Sequence, residues 1–163
     1  METMNSQEYY QHPNSPLRSR ANLVGHIVQV NDGIENKEQV WLSLIDDGSP
    51  KVATLLSAPF FAYGFALEDT VELDSSFTVT KVRIPSGRSL LRVFFSDAST
   101  ASAIAIRLLE VGAGHLEWMN LRYLCLDCPD VAVLNSCWSL LEQHEDAGDL
   151  EFESASLATK DSS

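Results

Sequence analysis

The stretch whose residue types and spacing come nearest to a known chemistry is Cys125-Leu126-Asp127-Cys128-Pro129. A thiol at a helix N-terminus gains thiolate character from the macrodipole, and Cys-x-x-Cys spacing allows a redox disulfide. Against this, Cys125 lies in an apolar run and Asp127 disfavours a neighbouring thiolate, so both cysteines read more simply as small buried residues. Cys137, with His115 or His144, would complete a four-ligand zinc set, but the chain has no second Cys-x-x-Cys and no His-x-x-x-His pair. Neither a metal nor another cofactor is expected. No glycine-rich phosphate loop, nucleophile elbow or His-Glu-x-x-His motif occurs, so no catalytic residue is assigned and the protein is expected not to be an enzyme. Three cysteines in 163 residues also oppose a disulfide framework.

Charge is the next signal. Lys and Arg number 11 against 23 Asp and Glu, a formal charge of -12, the wrong sign for sequence-independent nucleic-acid binding. Beyond Asp127 and Asp130, the carboxylates Glu142, Glu145, Asp146, Asp149, Glu151 and Glu153 meet no cation before Lys160, which predicts an acidic surface on the last helix and strand. Lys81, Arg83 and Arg92 alternate along neighbouring strands and suggest a local positive stripe. Of the aromatics, Phe60, Phe61, Tyr63 and Phe65 read as core with one exposed edge, Tyr63 being the member expected to keep its polar tip in water. Trp41, Trp118 and Trp138 read as packing residues, an exposed one becoming an interface candidate.

These residues must be positioned by an α+β fold. Residues 1–21 carry Pro13, Pro16 and polar residues without hydrophobic periodicity and read as a disordered arm, His12 included; residues 155–163 read as a flexible tail. Residues 22–89 form a small antiparallel β unit: strands at Leu23–Val30, Val40–Ile45, Val52–Leu56, Thr70–Leu73 and Phe77–Ile84, with hairpins at Asp46–Pro50 and Asp74–Ser76. Between the third and fourth strands, Ala58-Pro59-Phe60-Phe61-Ala62-Tyr63-Gly64 is an irregular aromatic segment plugging a small sheet. Residues 90–154 then read strand, helix, strand, strand, helix, strand. The first helix runs from an N-cap at Ser99 to Val111 and the second from about Asp130 to Glu145, giving a ferredoxin-like unit that shares a core with the β unit. No apolar run approaches the roughly 20 residues needed to span a bilayer, and the first residues lack the pattern of a signal peptide, so a cytoplasmic protein is expected.

Ser57-Ala58-Pro59-Phe60-Phe61-Ala62-Tyr63-Gly64-Phe65-Ala66-Leu67-Glu68-Asp69-Thr70-Val71, followed by Ser86-Gly87-Arg88-Ser89-Leu90-Leu91-Arg92-Val93, resembles a mostly bacterial family catalogued as domain of unknown function 4265. The resemblance covers about Val40 to Glu153. It departs from the family pattern at Glu68, where a glycine is common, and at Arg88, where a histidine is common. The resemblance implies the fold read above and supplies no activity. Small size, acidity and missing catalytic motifs then favour a non-enzymatic protein-binding module, most concretely an immunity-type protein that neutralises a basic toxin domain. Glu142, Glu145, Asp146, Asp149, Glu151 and Glu153 would supply charge, and Trp138 or Tyr63 an anchor. The alternative is a regulatory sensor holding a small molecule beside Phe60 and Tyr63.

Overall fold

The computed structural model describes residues 9–158. Five strands follow one another as an antiparallel meander: β1 (Leu23–Asn31), β2 (Ile34–Asp46), β3 (Lys51–Leu55), β4 (Thr70–Leu73) and β5 (Val79–Ile84). Their inward residues Ile27, Val40, Leu42, Leu55, Val71 and Leu73 alternate with outward ones and make one core. The sheet curls into a partly closed barrel, β1 meeting the residues just before β5, where the His26 N–H donates to the Phe77 carbonyl at 2.9 Å.

Gly25 is what lets that seam close. A Cβ there would stand 2.5 Å from Leu42 Cδ1 and 2.8 Å from the Phe77 carbonyl oxygen, and the latter is backbone that cannot turn aside. Gly25→Ala is therefore expected to cost about 1–3 kcal/mol, as overpacking does elsewhere. Thermal denaturation should show it as a fall in Tm of several degrees, with the α+β circular dichroism retained.

The second sheet is antiparallel, in the order β7 (Leu116–Asn120), β8 (Tyr123–Cys128), β6 (Ser89–Phe95), β9 (Leu150–Ser156). Two helices, α1 (Ala98–Glu110) and α2 (Val131–Asp146), pack on one of its faces. Leu91, Val93, Phe95, Leu124 and Leu126 of the strands meet Ile104 and Leu108 of α1 and Cys137 and Leu141 of α2 in the largest core. With two helices and two antiparallel sheets, the protein is α+β. No helix among the described residues is long and apolar enough to cross a membrane.

Three readings of the sequence are corrected. The N-cap of α1 is Asp97, whose carboxylate accepts from the Ser99 N–H at 2.9 Å, two residues before the expected cap; Ser99 is the second residue of the helix, and its backbone N–H is one of the free donors that a capping side chain serves. Strand β2 reaches back to Ile34, through the polar run Glu35–Gln39 that has no strand-like alternation, because it pairs along the whole of β1. Residues 9–21, expected as part of a disordered arm, are packed down: Tyr10 bridges to Glu38, Leu17 is buried with Leu56 and Leu67, and His12 is buried. The reason lies in partners on the body that no local pattern announces: the β2 backbone that bonds Tyr10, the carboxylates that bond His12 and the apolar pocket that takes Leu17. Residues 1–8 of that arm and 159–163 of the expected tail lie outside the described residues, and Ala155 and Ser156 belong to β9.

Glu68 adopts a φ of +66°, in the left-handed region that favours glycine. Its carboxylate stands 3.5 Å from Arg88, which also donates two parallel bonds to Asp127 at 2.9 and 2.7 Å. The two positions at which the sequence departs from its family pattern are thus neighbours in space.

Candidate functional site

Residues 57–64 lie between the two sheets without belonging to either, so their backbone groups need partners from side chains. The partners come from five strands, and Gln29 of β1 both accepts from the Tyr63 N–H at 2.6 Å and donates to its carbonyl at 3.1 Å. Glu38 of β2 accepts from the N–H of Phe60 at 2.6 Å through one oxygen and from Phe61 and Ala62 at 2.9 and 3.0 Å through the other. Glu117 of β7 accepts from the Ala58 N–H at 3.0 Å. On the carbonyl side, Arg92 of β6 donates to Pro59 at 3.2 Å and Ala62 at 2.8 Å, and the Tyr123 hydroxyl of β8 donates to Phe60 at 2.5 Å.

Strand register explains how these groups meet. Glu117 faces Cys125, Cys125 faces Arg92 and Arg92 faces Glu153, one row crossing the second sheet on the side turned away from the helices. Glu38 shares the inward parity of Val40 and Leu42 and so points into the same layer from the barrel.

His12 joins the two carboxylates. Its Nδ1 lies 2.5 Å from Glu117 and its Nε2 2.9 Å from Glu38, while the ring stacks on Phe60 with centroids 4.1 Å apart. All three side chains are buried. Burial alone pulls the imidazole down, but the hydrogen bonds and negative charges of Glu117 and Glu38 outweigh it and push His12 up to about 9. Burial likewise pushes the Glu38 carboxyl up, and the His12 bond and charge with the Phe61 and Phe60 N–H groups reverse this, holding it below the usual range. The result is an imidazolium held between two carboxylates. The Trp41 indole N–H donates to the His12 carbonyl at 2.9 Å and secures the backbone.

All three cysteines are free and buried. On β8, Cys125 faces the aromatic segment while Cys128 faces the helices, so strand alternation separates the two thiols of the Cys-x-x-Cys. Burial raises the Cys125 thiol well above its ordinary value; Cys128 is raised by its bond to Cys137 and by burial, which keeps it protonated. Among the described residues no group of three or more His, Cys, Asp or Glu side chains is placed to hold a metal. A thiol reagent such as Ellman's is expected to find no reactive cysteine in the native protein and all three after denaturation.

The acidic residues do not form one face. Glu142, Glu145 and Asp146 are exposed in the last turn of α2. Glu151 and Glu153 are also exposed but, by the alternation of β9, project from the sheet face opposite the helices. Asp149 lies between the groups and accepts from His144 at 2.7 Å, and Arg107 donates to the other nitrogen of that ring at 3.0 Å. Trp138 is half-buried, packed edge-on against Phe152 with centroids 5.1 Å apart, and makes no free anchor. Tyr63 is 42% exposed, lies over the Arg92 guanidinium at 4.6 Å and bonds Glu153 at 2.8 Å. The expected positive stripe is absent: Lys81 and Arg83 both pair with Glu72, while Arg92 lies buried in the other sheet.

The fold and this buried triad define an α+β protein whose two sheets are bolted together through an irregular segment and an imidazolium. The chain belongs to the family described as domain of unknown function DUF4265, which matches residues 38–152 and so begins at the buried carboxylate Glu38. A crystal structure of a hypothetical protein from Neisseria gonorrhoeae is similar in fold. Its TM-score is 0.73 at 17% identity, over 85% of this chain and 99% of that one. No curated protein matches.

Proposed function

We propose that the chain is a non-enzymatic protein-binding module of the cytoplasm, an immunity-type protein whose acidic surface captures and neutralises a basic partner such as a toxin domain acting on nucleic acid. Its second unit is read as ferredoxin-like, which the strand order β9-β6-β8-β7 supports. The observation that carries the reading is the placement of charge. Residues 97–158 hold eleven carboxylates against two arginines, a formal charge of -9 of the total -12. Three of the exposed carboxylates, Glu142, Glu145 and Asp146, crowd the C-terminal turn of α2, where the helix dipole disfavours negative charge. Solubility alone does not require them there, whereas electrostatic capture of a cationic surface does.

The test is affinity capture from the native cytoplasm at low and moderate salt, with the charge-reversed triple variant Glu142→Lys, Glu145→Lys, Asp146→Lys beside it. One stoichiometric basic protein, released as salt rises and bound at least about tenfold more weakly by the triple variant, is the expected result. A bait that retains nothing, or retention indifferent to charge reversal, overturns the reading.

A further inference from the structure

On the second sheet, beside the aromatic segment, the face turned from the helices opens into a cleft of about 230 Å³. Its side chains are Arg92 and Phe94 of β6, Tyr123 of β8, and Glu151 and Glu153 of β9. The fold uses some of these groups and leaves others idle. Arg92 is 3% exposed, and its two terminal nitrogens hold the Pro59 and Ala62 carbonyls. Its Nε N–H has no hydrogen-bond acceptor and is the buried side-chain polar atom so left among the described residues. Glu153 stands 3.4 Å from it, near enough to attract its charge but not aligned to accept, and its two carboxylate oxygens lie 2.8 and 2.9 Å from the Tyr63 hydroxyl. Glu151 is exposed with no ion-pair partner among the described residues. Phe94 is 46% exposed, edge-on to Tyr123 with centroids 6.2 Å apart, and Arg122 lies 5.4 Å over its ring.

The charged groups lining the cleft are thus of both signs, Arg92 against Glu151 and Glu153, beside an aromatic wall. An anion would leave the carboxylates opposed, and a simple cation would leave the guanidinium unserved. We propose that this cleft binds a small zwitterion, an α-amino acid with an aromatic or large apolar side chain. Its carboxylate takes the place of Glu153 over Arg92 Nε. The half-exposed Glu153 turns with Glu151 to the ligand's ammonium group, and the ligand's side chain lies on Phe94 and Tyr123. Cross-strand register sets Glu153 opposite Arg92 and Glu151 opposite Phe94. Anion- and cation-binding groups therefore sit side by side on adjacent strands, Arg92 Nε and the Glu153 carboxylate 3.4 Å apart, the scale of an α-amino acid's two charges with their contacts. A buried guanidinium that gains an acceptor and aromatic surface that is covered both favour the bound state. The inference goes beyond the partner-binding reading, whose test uses the end of α2.

Isothermal titration of the full chain with L-phenylalanine, L-tyrosine, L-tryptophan and L-leucine tests it, with phenethylamine, 3-phenylpropionate and glycine as analogues lacking the carboxylate, the ammonium and the side chain. At least one amino acid is expected to bind saturably at one site, and each analogue at least about tenfold more weakly. Glu151→Gln sits at an exposed position and should keep the wild-type Tm, while Phe94→Ala, half-buried against Tyr123, should lower it by a few degrees and stay folded; each should weaken the preferred amino acid about tenfold. Saturable binding by none of the four overturns the proposal. So does an analogue that binds as well as its parent, or unchanged affinity in a folded Glu151→Gln protein.

Discussion

His12→Ala is expected to destabilise the protein by about 3–5 kcal/mol, because it removes the one cation between two buried carboxylates and leaves both charges uncompensated. Urea denaturation at pH 6 measures this directly. The same triad fixes the sign of a pH dependence. The folded imidazole titrates near 9 and the unfolded one near 6.5, so its contribution is complete below 6.5 and is lost as pH rises through 9. The interval corresponds to about 3 kcal/mol, with stability falling between those two values in the wild type and not in His12→Ala. The loss should begin in the N-terminal segment. Amide exchange at residues 10–20 is expected to speed up at pH 9.5 before the cores of either sheet do, since His12 is the buried polar group that ties the segment to β2 and β7. A stability curve that is flat from pH 6 to 9.5, or equal in the variant, would show that the imidazole is neutral in the fold.

Much of the architecture was legible because it follows from local patterning. The apolar, β-branched content of Leu23–Val30, the turn residues at Asp46–Pro50 and Asp74–Ser76 and the 3.6-residue period around Ile104 and Leu108 or Cys137 and Leu141 each specify an element on their own. The triad was illegible for the opposite reason. Its members are 26 and 105 residues apart, His12 sits in a stretch with no periodicity, and Glu38 sits in a polar run that only its pairing with β1 makes a strand. One signal was nevertheless available. An irregular Pro-Phe-Phe-Ala-Tyr-Gly segment packed by its aromatics must bury amide groups that no ladder serves, so buried acceptors elsewhere in the chain were required. The lone arginine inside the apolar run Leu90-Leu91-Arg92-Val93-Phe94-Phe95 was the matching donor, in a strand buried at every position but Phe94. The acidic residues show the converse error. Adjacent in sequence, they were read as one face, yet a helix end and an alternating edge strand send them to different sides of the sheet.

Glu38→Gln, nearly isosteric with the native side chain, is expected to destabilise almost as much as Glu38→Ala, by about 3–5 kcal/mol. One carboxylate here accepts from three backbone N–H groups, with His12 as its fourth neighbour. An amide has a single acceptor oxygen. Whichever way it is turned, its NH2 group faces donors: Phe60 N–H and His12 on one side, or Phe61 and Ala62 N–H on the other. Each buried donor left without an acceptor costs about 1–3 kcal/mol, and the amide also withdraws half of the charge that holds the imidazolium. Against a total stability of about 5–15 kcal/mol for a domain, such a loss falls on the contact between the two sheets, because residues 58–62 are held by Glu38 from the barrel and by Glu117, Arg92 and Tyr123 from the second sheet. Denaturation of Glu38→Gln should therefore change from a single transition to one in which the barrel and the helix-covered sheet no longer melt together, read by the emission of Trp41 in a Trp118→Phe, Trp138→Phe background and by far-ultraviolet circular dichroism for the helices. A Glu38→Gln protein within about 1 kcal/mol of wild type and still melting as one unit would mean that the aromatic segment is held by its packing, and that the carboxylate is incidental to it.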